Sequence, residues 1–303
     1  MKIRIINNAL WSPTFKLWGD YWVIRHLQDA FQKLGHTTHN IVEKDVADFN
    51  LYLCGGPYTA THKCPSKMDI AWFYSRIKED VIQGLNTYKA VFCIGNDYSN
   101  KLKTKIKPPV FPMIGCTHVI PPTDIPKKDM DIVMVANSRL SKNNIHKSYG
   151  RKIIDDLDPI NNKFKLNIWG YQWERSPKGK QFLKGQFTDN YELGKLYGRS
   201  KIVLNDSHDE MVKNGFITIR TYDIVASGAL CISAPTAGLK DVFEDTVVTY
   251  DSPQDLVEKT KFYLANDDER NRKIKRGIEL IRDKELTYDK NARFILHVLG
   301  NHI

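Results

Sequence analysis

The chain has 303 residues, of which 42% are hydrophobic and 26% are charged. This composition supplies enough apolar material for two folded cores and excludes an intrinsically disordered chain. No segment reaches the roughly 18 apolar residues of a membrane span, and the N-terminal apolar run is too short for a secretory signal. We therefore expect a soluble, cytoplasmic protein.

The net charge is +10, from 45 Lys and Arg residues against 35 Asp and Glu residues. Two interpretations stay open: a Lys-rich solvated surface, or an anionic partner such as nucleic acid, an anionic glycan or a lipid surface. The five cysteines are scattered without the close pairs of a zinc site. Buried free thiols in a reducing compartment are therefore expected.

Apolar strands alternate with helical patterns in the first half of the chain, which favours a parallel sheet covered by helices. Strands are predicted at Ile3–Ile6, Phe49–Cys54, Ile70–Tyr74, Ala90–Ile94 and Val110–Ile114. A helix is predicted at Asp20–Leu34, and the region Arg76–Gly84 follows the strand Ile70–Tyr74. Three prolines, Pro121, Pro122 and Pro126, then predict a hinge between two domains.

A second alternating series follows the hinge. Its predicted strands are Asp131–Val135, Lys165–Trp169, Lys201–Leu204, Ala229–Ser233 and Val247–Tyr250, and its helices lie near Tyr149–Asp156, Tyr191–Ser200, Ile219–Ser227, Pro253–Ala265, Asp267–Asp283 and Tyr288–Leu299. The pattern predicts an α/β protein with two doubly wound, Rossmann-like domains. Such domains bind ligands in the cleft between them, at the carboxyl ends of their strands.

The segment Leu204–Pro235 reads as one strand–loop–helix–strand crossover. Its helix stops at Gly228, the usual left-handed stop residue. Arg220 and Asp223 lie three residues apart on one face of this helix, near an N-terminus whose dipole attracts anions. A cation for phosphate beside a carboxylate for sugar hydroxyls is what a nucleotide-sugar site requires.

Further motifs accompany this segment: Asn137-Ser138-Arg139, Trp169-Gly170, Tyr191-Glu192-Leu193, Asn205-Asp206 and Gly215-Phe216. With them, the C-terminal half resembles the group-1 glycosyltransferases of the GT-B fold, especially their spore-maturation-type subfamily. The resemblance implies an acceptor-side domain, residues 1–124, onto which the C-terminal helix 286–303 packs back, and a nucleotide-sugar domain, residues 125–285. It implies transfer of a sugar from a nucleotide-diphosphate donor, UDP-type foremost, to a hydroxyl acceptor. Anomeric configuration would be retained, and neither a metal nor another cofactor would be needed.

The resemblance also assigns roles to single residues. Asp223 would accept hydrogen bonds from the ribose hydroxyls, with a solvated helical Asp as the alternative. Arg139 and Arg151 would face the diphosphate as catalytic groups, because guanidinium groups stabilise leaving-group charge. For Arg139 the alternative is a surface salt bridge. Arg220 would either hold phosphate or form an ion pair with Asp223.

The other donor-binding candidates lie on loops. Backbone N–H groups would come from Gly215, Phe216 and Ile217, the base would be framed by Gly170, Phe187 and Thr188, and the cleft or the sugar would be contacted by Gly19, Asp20, His118 and His208. Each has a structural alternative, such as an N-cap at Asp20, aromatic core packing or a structural histidine. Two positions depart from the family: Asn214 and His118 stand where relatives carry acids.

The acceptor stays open between a polysaccharide or glycolipid, which is the default, and DNA with hydroxymethylated bases, for which the positive charge leaves room. Two alternatives to a transferase also stay open. One is a non-catalytic sugar- or nucleic-acid-binding protein, and the other is a nucleotide-sugar epimerase of the same fold.

Overall fold

The computed structural model describes residues 1–7, 15–17, 19–39, 45–54, 64–74, 82–139 and 149–302. The chain divides into two compact units. Unit 1 consists of Met1–Cys116, Lys213–Phe216 and Leu286–Ile303, and unit 2 consists of Thr117–Val212 and Ile217–Glu285.

Unit 1 is built on a parallel sheet that has six strands within the described residues. The strands are β1 (Lys2–Ile6), β2 (Thr37–His39), β3 (Phe49–Cys54), β4 (Asp69–Phe73), β5 (Ala90–Ile94) and β6 (Val110–Met113), in the spatial order β2-β1-β3-β4-β5-β6. Every residue of β3 and β5 is buried, as expected for central strands of a parallel sheet covered on both faces. Helices α1 (Gly19–Lys33) and α2 (Asn96–Lys103) belong to the same unit.

Unit 2 contains a second parallel sheet of six described strands. These are β7 (Met130–Val135), β8 (Leu166–Trp169), β9 (Leu183–Gly185), β10 (Ser200–Asn205), β11 (Leu230–Ser233) and β12 (Val248–Thr249). The helices are α3 (Lys152–Leu157), α4 (Leu193–Gly198), α5 (Asp209–Lys213), α6 (Ile219–Ala226), α7 (Gly238–Phe243), α8 (Pro253–Ala265) and α9 (Asp267–Asp283). Apolar residues of the central strands form the core, among them Ile132, Met134, Ile168, Ile202, Leu204 and Ile232.

The strands of unit 2 lie side by side in the order β12-β11-β10-β7-β8-β9. The order in which the chain adds new strands changes side between β7 and β10, which pair in parallel. After β7 the chain adds β8 and β9 on one side, and it then returns to place β10 on the other side of β7. The loops after β7 and β10 therefore leave the sheet in opposite directions and open a crevice. Ligands of doubly wound sheets bind at such a switch point.

The C-terminal helix α10 (Tyr288–His302) packs within unit 1 against α1. The rings of His26 and Tyr288 lie 5.3 Å apart between centroids, and Lys33 Nζ lies 3.4 Å from the Asp289 carboxylate. No helix among the described residues is long and apolar enough to cross a membrane.

The structure confirms the predicted α/β class with two doubly wound sheets. All ten strands expected from the sequence are present, with ends that differ by one residue at most. The strands β2 and β9 were not predicted because three residues leave no readable alternation. Helix α2 was missed because it buries only Ser99 and Leu102, so it has no apolar stripe. The region Arg76–Gly84 falls mostly outside the described residues.

The proline-rich segment predicted as a hinge is fastened to unit 2. Lys128 Nζ donates hydrogen bonds to the carbonyl oxygen of Gly198, at 2.7 Å, and to that of Gly228. These carbonyls lie at or just beyond the C-terminal ends of α4 and α6, where a cation also complements the helix dipoles. Arg282 donates to the carbonyl oxygen of Pro122 at 2.6 Å. Burial, together with the charge of Arg270, lowers the pKa of Lys128 to about 8.

Gly170, at the end of β8, has a φ of +149°, a backbone conformation that other residues rarely adopt. A Cβ atom there would lie 2.1 Å from the carbonyl oxygen of Ala136 and 3.1 Å from the backbone nitrogen of Asn137. Both atoms belong to the backbone that follows β7. The missing side chain therefore lets the chain after β8 lie directly against the chain after β7.

We expect Gly170→Ala to destabilise the protein by about 2 kcal/mol or more, because backbone atoms on both sides would have to shift. This corresponds to a decrease of about 5 °C in the melting temperature measured by circular dichroism. Gly84→Ala is the matched control, since a Cβ at Gly84 would meet no atom within 4 Å. Equal melting temperatures for the two variants would contradict the requirement for glycine at this position.

Candidate functional site

Polar side chains meet at the switch point of unit 2, where β7 and β10 end. Asn137 follows β7, and Asp206 follows β10 directly. The guanidinium of Arg151, one residue before α3, bridges them: Nε donates to the Asn137 carbonyl oxygen at 2.8 Å, and Nη1 donates to Asp206 Oδ1. The two strand ends are thus joined by one buried side chain.

Two further arginines approach the same carboxylate. Arg139 Nη2 lies 3.7 Å from Asp206 Oδ1, and Arg139 Nη1 donates to the carbonyl oxygen of Ser207 at 3.1 Å. Arg220 lies close enough to add its positive charge to the field at Asp206. We call Arg139, Arg151, Arg220 and Asp206 the arginine cluster.

Mutual repulsion and burial shift the pKa values in the arginine cluster. Burial alone would raise the pKa of Asp206, but Arg151, Arg139 and Arg220 together hold it below its usual value. Burial lowers the pKa of Arg151 to about 10; Asp206 opposes this change, whereas Arg139 and Arg220 add to it. Asp206 and Arg151 therefore stay charged at neutral pH, and three guanidinium groups around one carboxylate form an environment that a second anion would stabilise.

Asn205, the last residue of β10, fixes the position of Arg220. Its Oδ1 accepts hydrogen bonds from Arg220 Nη1 at 3.0 Å and from the Thr218 hydroxyl at 3.2 Å. Its Nδ2 donates to the hydroxyls of Thr221 at 3.1 Å and Ser233 at 3.0 Å. One amide side chain therefore ties the N-terminus of α6 to the ends of β10 and β11.

Asp223, on α6, lies in a second polar cluster and is only 5% exposed, so it is not a solvated helical residue. The Thr117 hydroxyl donates to its Oδ1 at 2.6 Å, and His118 Nδ1 lies 3.6 Å from the same oxygen. His118 Nε2 lies 2.9 Å from the carbonyl oxygen of Asn190. Burial raises the pKa of Asp223, although His118, Thr117 and Arg220 oppose the increase. Arg220 thus adds positive charge to both clusters, while its hydrogen bond goes to the asparagine that ends β10.

The remaining candidates in unit 2 lie on loops that follow strands or precede helices. Gly170 follows β8, and Phe187 and Thr188 follow β9, with Phe187 46% exposed. The His208 carbonyl oxygen accepts the Met211 N–H at 2.9 Å at the start of α5. Ile217 is buried shortly before α6.

Gly19 and Asp20 lie in unit 1, in the first turn of α1. Because the helix already includes Gly19, Asp20 is its second residue rather than its N-cap. The hydroxyl of Tyr74, just after β4, donates a hydrogen bond to Asp20 Oδ1. Burial raises the pKa of Asp20 to about 6, although the Tyr74 hydrogen bond opposes the shift.

Gly215 and Phe216 also belong to unit 1. The Phe216 side chain is fully buried, and its ring lies 5.0 Å from the ring of Tyr98 between centroids, in an edge-on arrangement. Gly215 has a φ of +72°, which permits the turn before this side chain. Phe216 therefore packs as a core residue; a role for its backbone N–H in donor binding stays a prediction.

Comparison with known proteins indicates the class of enzyme to which these polar clusters belong. Residues 148–297 match a family model described as glycosyl transferase-like, and this range includes Arg151, Asp206, Arg220 and Asp223. A sequence comparison with curated proteins found no match.

Solved structures of similar fold include glycosyltransferases. Sucrose-phosphate synthase from Thermosynechococcus elongatus aligns with a TM-score of 0.67 at 11% identity, over 99% of this chain and 98% of that one. A glycosyltransferase from Rickettsia africae ESF-5 aligns with a TM-score of 0.61 at 13% identity, over 99% and 98%. The DNA-modifying enzyme β-glucosyltransferase, solved with and without uridine diphosphoglucose, aligns with a TM-score of 0.56 at 11% identity, over 99% and 100%.

This chain is a glycosyltransferase of the GT-B fold. The sequence therefore predicted the enzyme class and the fold correctly. The narrower spore-maturation-type subfamily stays a prediction.

The sequence nominated three members of the arginine cluster, whereas Asp206 at its centre was included only in the Asn205-Asp206 motif and was given no role. Asn205 ends an apolar strand of a parallel sheet, Asp206 directly follows it, and Asn137 follows another such strand. Polar residues at such strand ends are the pattern that indicates these site residues. Thr117 left no such signal, because its partner Asp223 is distant in sequence.

The raised pKa of Asp20 predicts a pH-dependent contribution to stability. The unfolded chain releases this proton near 3.8, whereas the folded chain keeps it up to about 6. We therefore expect the native chain to lose unfolding free energy, relative to Asp20→Asn, as the pH rises from 3.8 to about 6. Urea denaturation at a series of pH values measures it.

Asp129→Asn is the control for this titration, since Asp129 is an exposed partner of Arg199 and its pKa is lowered rather than raised. Its effect on stability should be flat between about pH 5 and 6, above the range in which its carboxyl titrates in the folded or the unfolded chain. A flat profile for Asp20→Asn as well would contradict the raised pKa of Asp20.

Proposed function

We propose that the protein transfers a sugar from a UDP-type nucleotide-sugar to a hydroxyl acceptor, with retention of anomeric configuration and without a metal ion. The observation that carries the proposal is the arginine cluster: three guanidinium groups around one carboxylate at the switch point of unit 2. A nucleoside diphosphate carries the complementary charge, and guanidinium groups bind phosphate oxygens through paired N–H donors.

The arginines differ in their access to a ligand. The Arg139 side chain is 31% exposed, whereas that of Arg151 is 7% exposed and is occupied by Asn137 and Asp206. Arg139, together with the partly exposed Arg220, therefore binds the diphosphate, and Arg151 supports them from behind. In the resting protein Arg139 contacts the Ser207 carbonyl and Asp206, and phosphate oxygens would compete for the same guanidinium.

The nucleoside would extend from the diphosphate toward two features of unit 2. Asp223 Oδ1 is already bonded to Thr117, so a ribose hydroxyl would donate to the other carboxylate oxygen. The exposed ring of Phe187 offers an aromatic face to the base. Thr188 follows β9 together with Phe187, and Gly170 follows the neighbouring strand β8. The structural relative solved with uridine diphosphoglucose supports uracil as that base.

In the chemical step the bond between the anomeric carbon and the diphosphate oxygen breaks, and negative charge develops on the diphosphate. Arg139 and Arg220 stabilise that charge, which is the task a metal ion performs in other transferases. In a retaining front-face reaction the departing phosphate itself accepts the proton of the acceptor hydroxyl. No protein base is then required, so we assign none.

Replacing Arg139 with Ala should decrease kcat by about a hundredfold, as the loss of one charge-stabilising donor typically does. Release of UDP from the donor in the presence of acceptor measures it. Arg199→Ala is the control, because its guanidinium is 58% exposed, belongs to the same unit and pairs with Asp129 at 2.7 Å. An Arg139→Ala enzyme with the turnover of Arg199→Ala would overturn the role of Arg139.

The experiment that tests the function as a whole is a donor panel: hydrolysis and transfer from UDP-, GDP-, ADP- and CMP-sugars, with and without EDTA. We expect nucleotide release from UDP-sugars that EDTA does not decrease, and a product of unchanged anomeric configuration by NMR. Inhibition by EDTA would refute metal independence, and an inverted product would refute retention. Binding of donors without any release would favour a non-catalytic sugar-binding protein, and interconversion of donor sugars would favour an epimerase.

The acceptor is tested in the same assay. A polysaccharide or glycolipid is the default acceptor, and duplex DNA with hydroxymethylated bases is the alternative, supported by the net charge of +10 and by the fold shared with a DNA-modifying glucosyltransferase. Activity toward DNA should fall steeply as salt rises, because binding releases counterions from the duplex. Salt-independent activity, or none with DNA, would assign the acceptor to the glycan class.

A further inference from the structure

We propose that Asp206 is a positioning residue, whose charge holds the guanidinium groups of Arg139 and Arg151 in the arrangement that the transfer step needs. The inference rests on the proposed function, since it concerns the same site. It adds a role for a carboxylate that the sequence did not nominate, and it predicts which kinetic constant depends on that carboxylate.

Asp206 does not reach the substrate itself. Its side chain is 4% exposed, and Arg151 and Arg139 both approach one of its oxygens, Oδ1. The other oxygen, Oδ2, is buried and has no hydrogen-bond partner in the part of the chain that the structure describes. A buried carboxylate with an unsatisfied oxygen costs free energy unless its charge is strongly stabilised. The surrounding guanidinium groups supply that stabilisation and keep the pKa of Asp206 low.

The arginines need the carboxylate in return. Arg139 and Arg220 both act to lower the pKa of Arg151, so the three cations repel one another. Asp206 offsets this repulsion from a fixed point, because it directly follows β10 in the core of the sheet. Without its charge, Arg139 loses the ionic contact with Oδ1 and keeps the hydrogen bond to the Ser207 carbonyl oxygen, which fixes its guanidinium less firmly. Arg151 keeps its hydrogen bond to the Asn137 carbonyl oxygen.

Removal of the charge has opposite effects on binding and on turnover. A site with three cations and no internal anion attracts a diphosphate at least as strongly as before. The transition state, however, needs guanidinium groups held in one geometry, and misplacement by about 1 Å can cost a hundredfold in rate. A residue that only maintains the fold would decrease binding and turnover together.

The test is Asp206→Asn, which keeps the shape of the side chain and removes its charge. We expect the Kd for UDP, measured by calorimetry, to stay the same or decrease severalfold, while kcat for donor turnover decreases tenfold or more. The matched control is Asp129→Asn, which removes an exposed carboxylate that pairs with Arg199 in the same unit. Both constants should stay at their native values in the control.

Two further variants keep the proposal falsifiable if Asp206→Asn unfolds. Asp206→Glu retains the charge and should recover part of the lost kcat, and Arg151→Lys retains the cation but loses the hydrogen bonds of the fork, so kcat should decrease with UDP affinity preserved. A parallel loss of UDP affinity and kcat, or an unchanged kcat, would overturn the positioning role. A native enzyme that neither binds UDP nor releases it from any donor would instead refute the proposed function.

Discussion

The buried guanidinium of Arg151 joins the two central strand ends of unit 2, through the carbonyl oxygen of Asn137 after β7 and the carboxylate of Asp206 after β10. Burying an ion typically costs several kcal/mol, and only close pairing with further hydrogen bonds offsets that cost. Here the ion pair is direct, and the Nε–H donates to a backbone carbonyl oxygen. The crevice between the loops after β7 and β10 is therefore spanned by a rigid charged link, and Arg139 and Arg220 take their places around it.

This arrangement shows how a parallel sheet fixes polar side chains at its carboxyl edge. The carboxyl ends of β7, β10 and β11 converge, and the side chains that follow them bond to one another rather than to solvent: Asn205 reaches Arg220, Thr221 and Ser233. Groups fixed in this way need little reorganisation when charge develops during a reaction. Gly170 contributes by its missing side chain, because the end of β8 can then lie against the end of β7.

Much of the fold was predictable because central parallel strands are continuous apolar runs, and β3, β5 and β10 could be read directly from the sequence. Helix α2 could not, because its sequence NDYSNKLK is mostly polar and its packing depends on tertiary contacts. The residues of the candidate site were likewise predictable only where their position depends on local sequence rather than on tertiary contacts. Arg139 and Arg220 could be nominated from their spacing to strand and helix ends, which is a local property.

The roles of Asp206 and of the partners of Asp223 depend instead on which segments meet in space. The charge balance that makes Asp206 central involves Arg139, Arg151 and Arg220, and sequence distance gives no measure of that field. Likewise, nothing in the sequence around Thr117 indicates that its hydroxyl donates a hydrogen bond to Asp223. Such long-range polar pairs are set by the topology of the sheet rather than by local pattern.

The hydrogen bond from Thr117 to Asp223 gives one acidic side chain two roles. Asp223 is a candidate for binding the ribose, and it also holds Thr117, the first residue of unit 2. Any replacement of Asp223 removes this hydrogen bond together with the carboxylate that we propose for ribose binding, so a loss of activity in such a variant has two causes that the variant alone does not separate. Thr117→Val separates the two roles, because it removes the hydrogen bond and leaves the Asp223 carboxylate in place. A variant at this one position therefore reports on the proposed ribose contact and on the attachment of Thr117 at the same time.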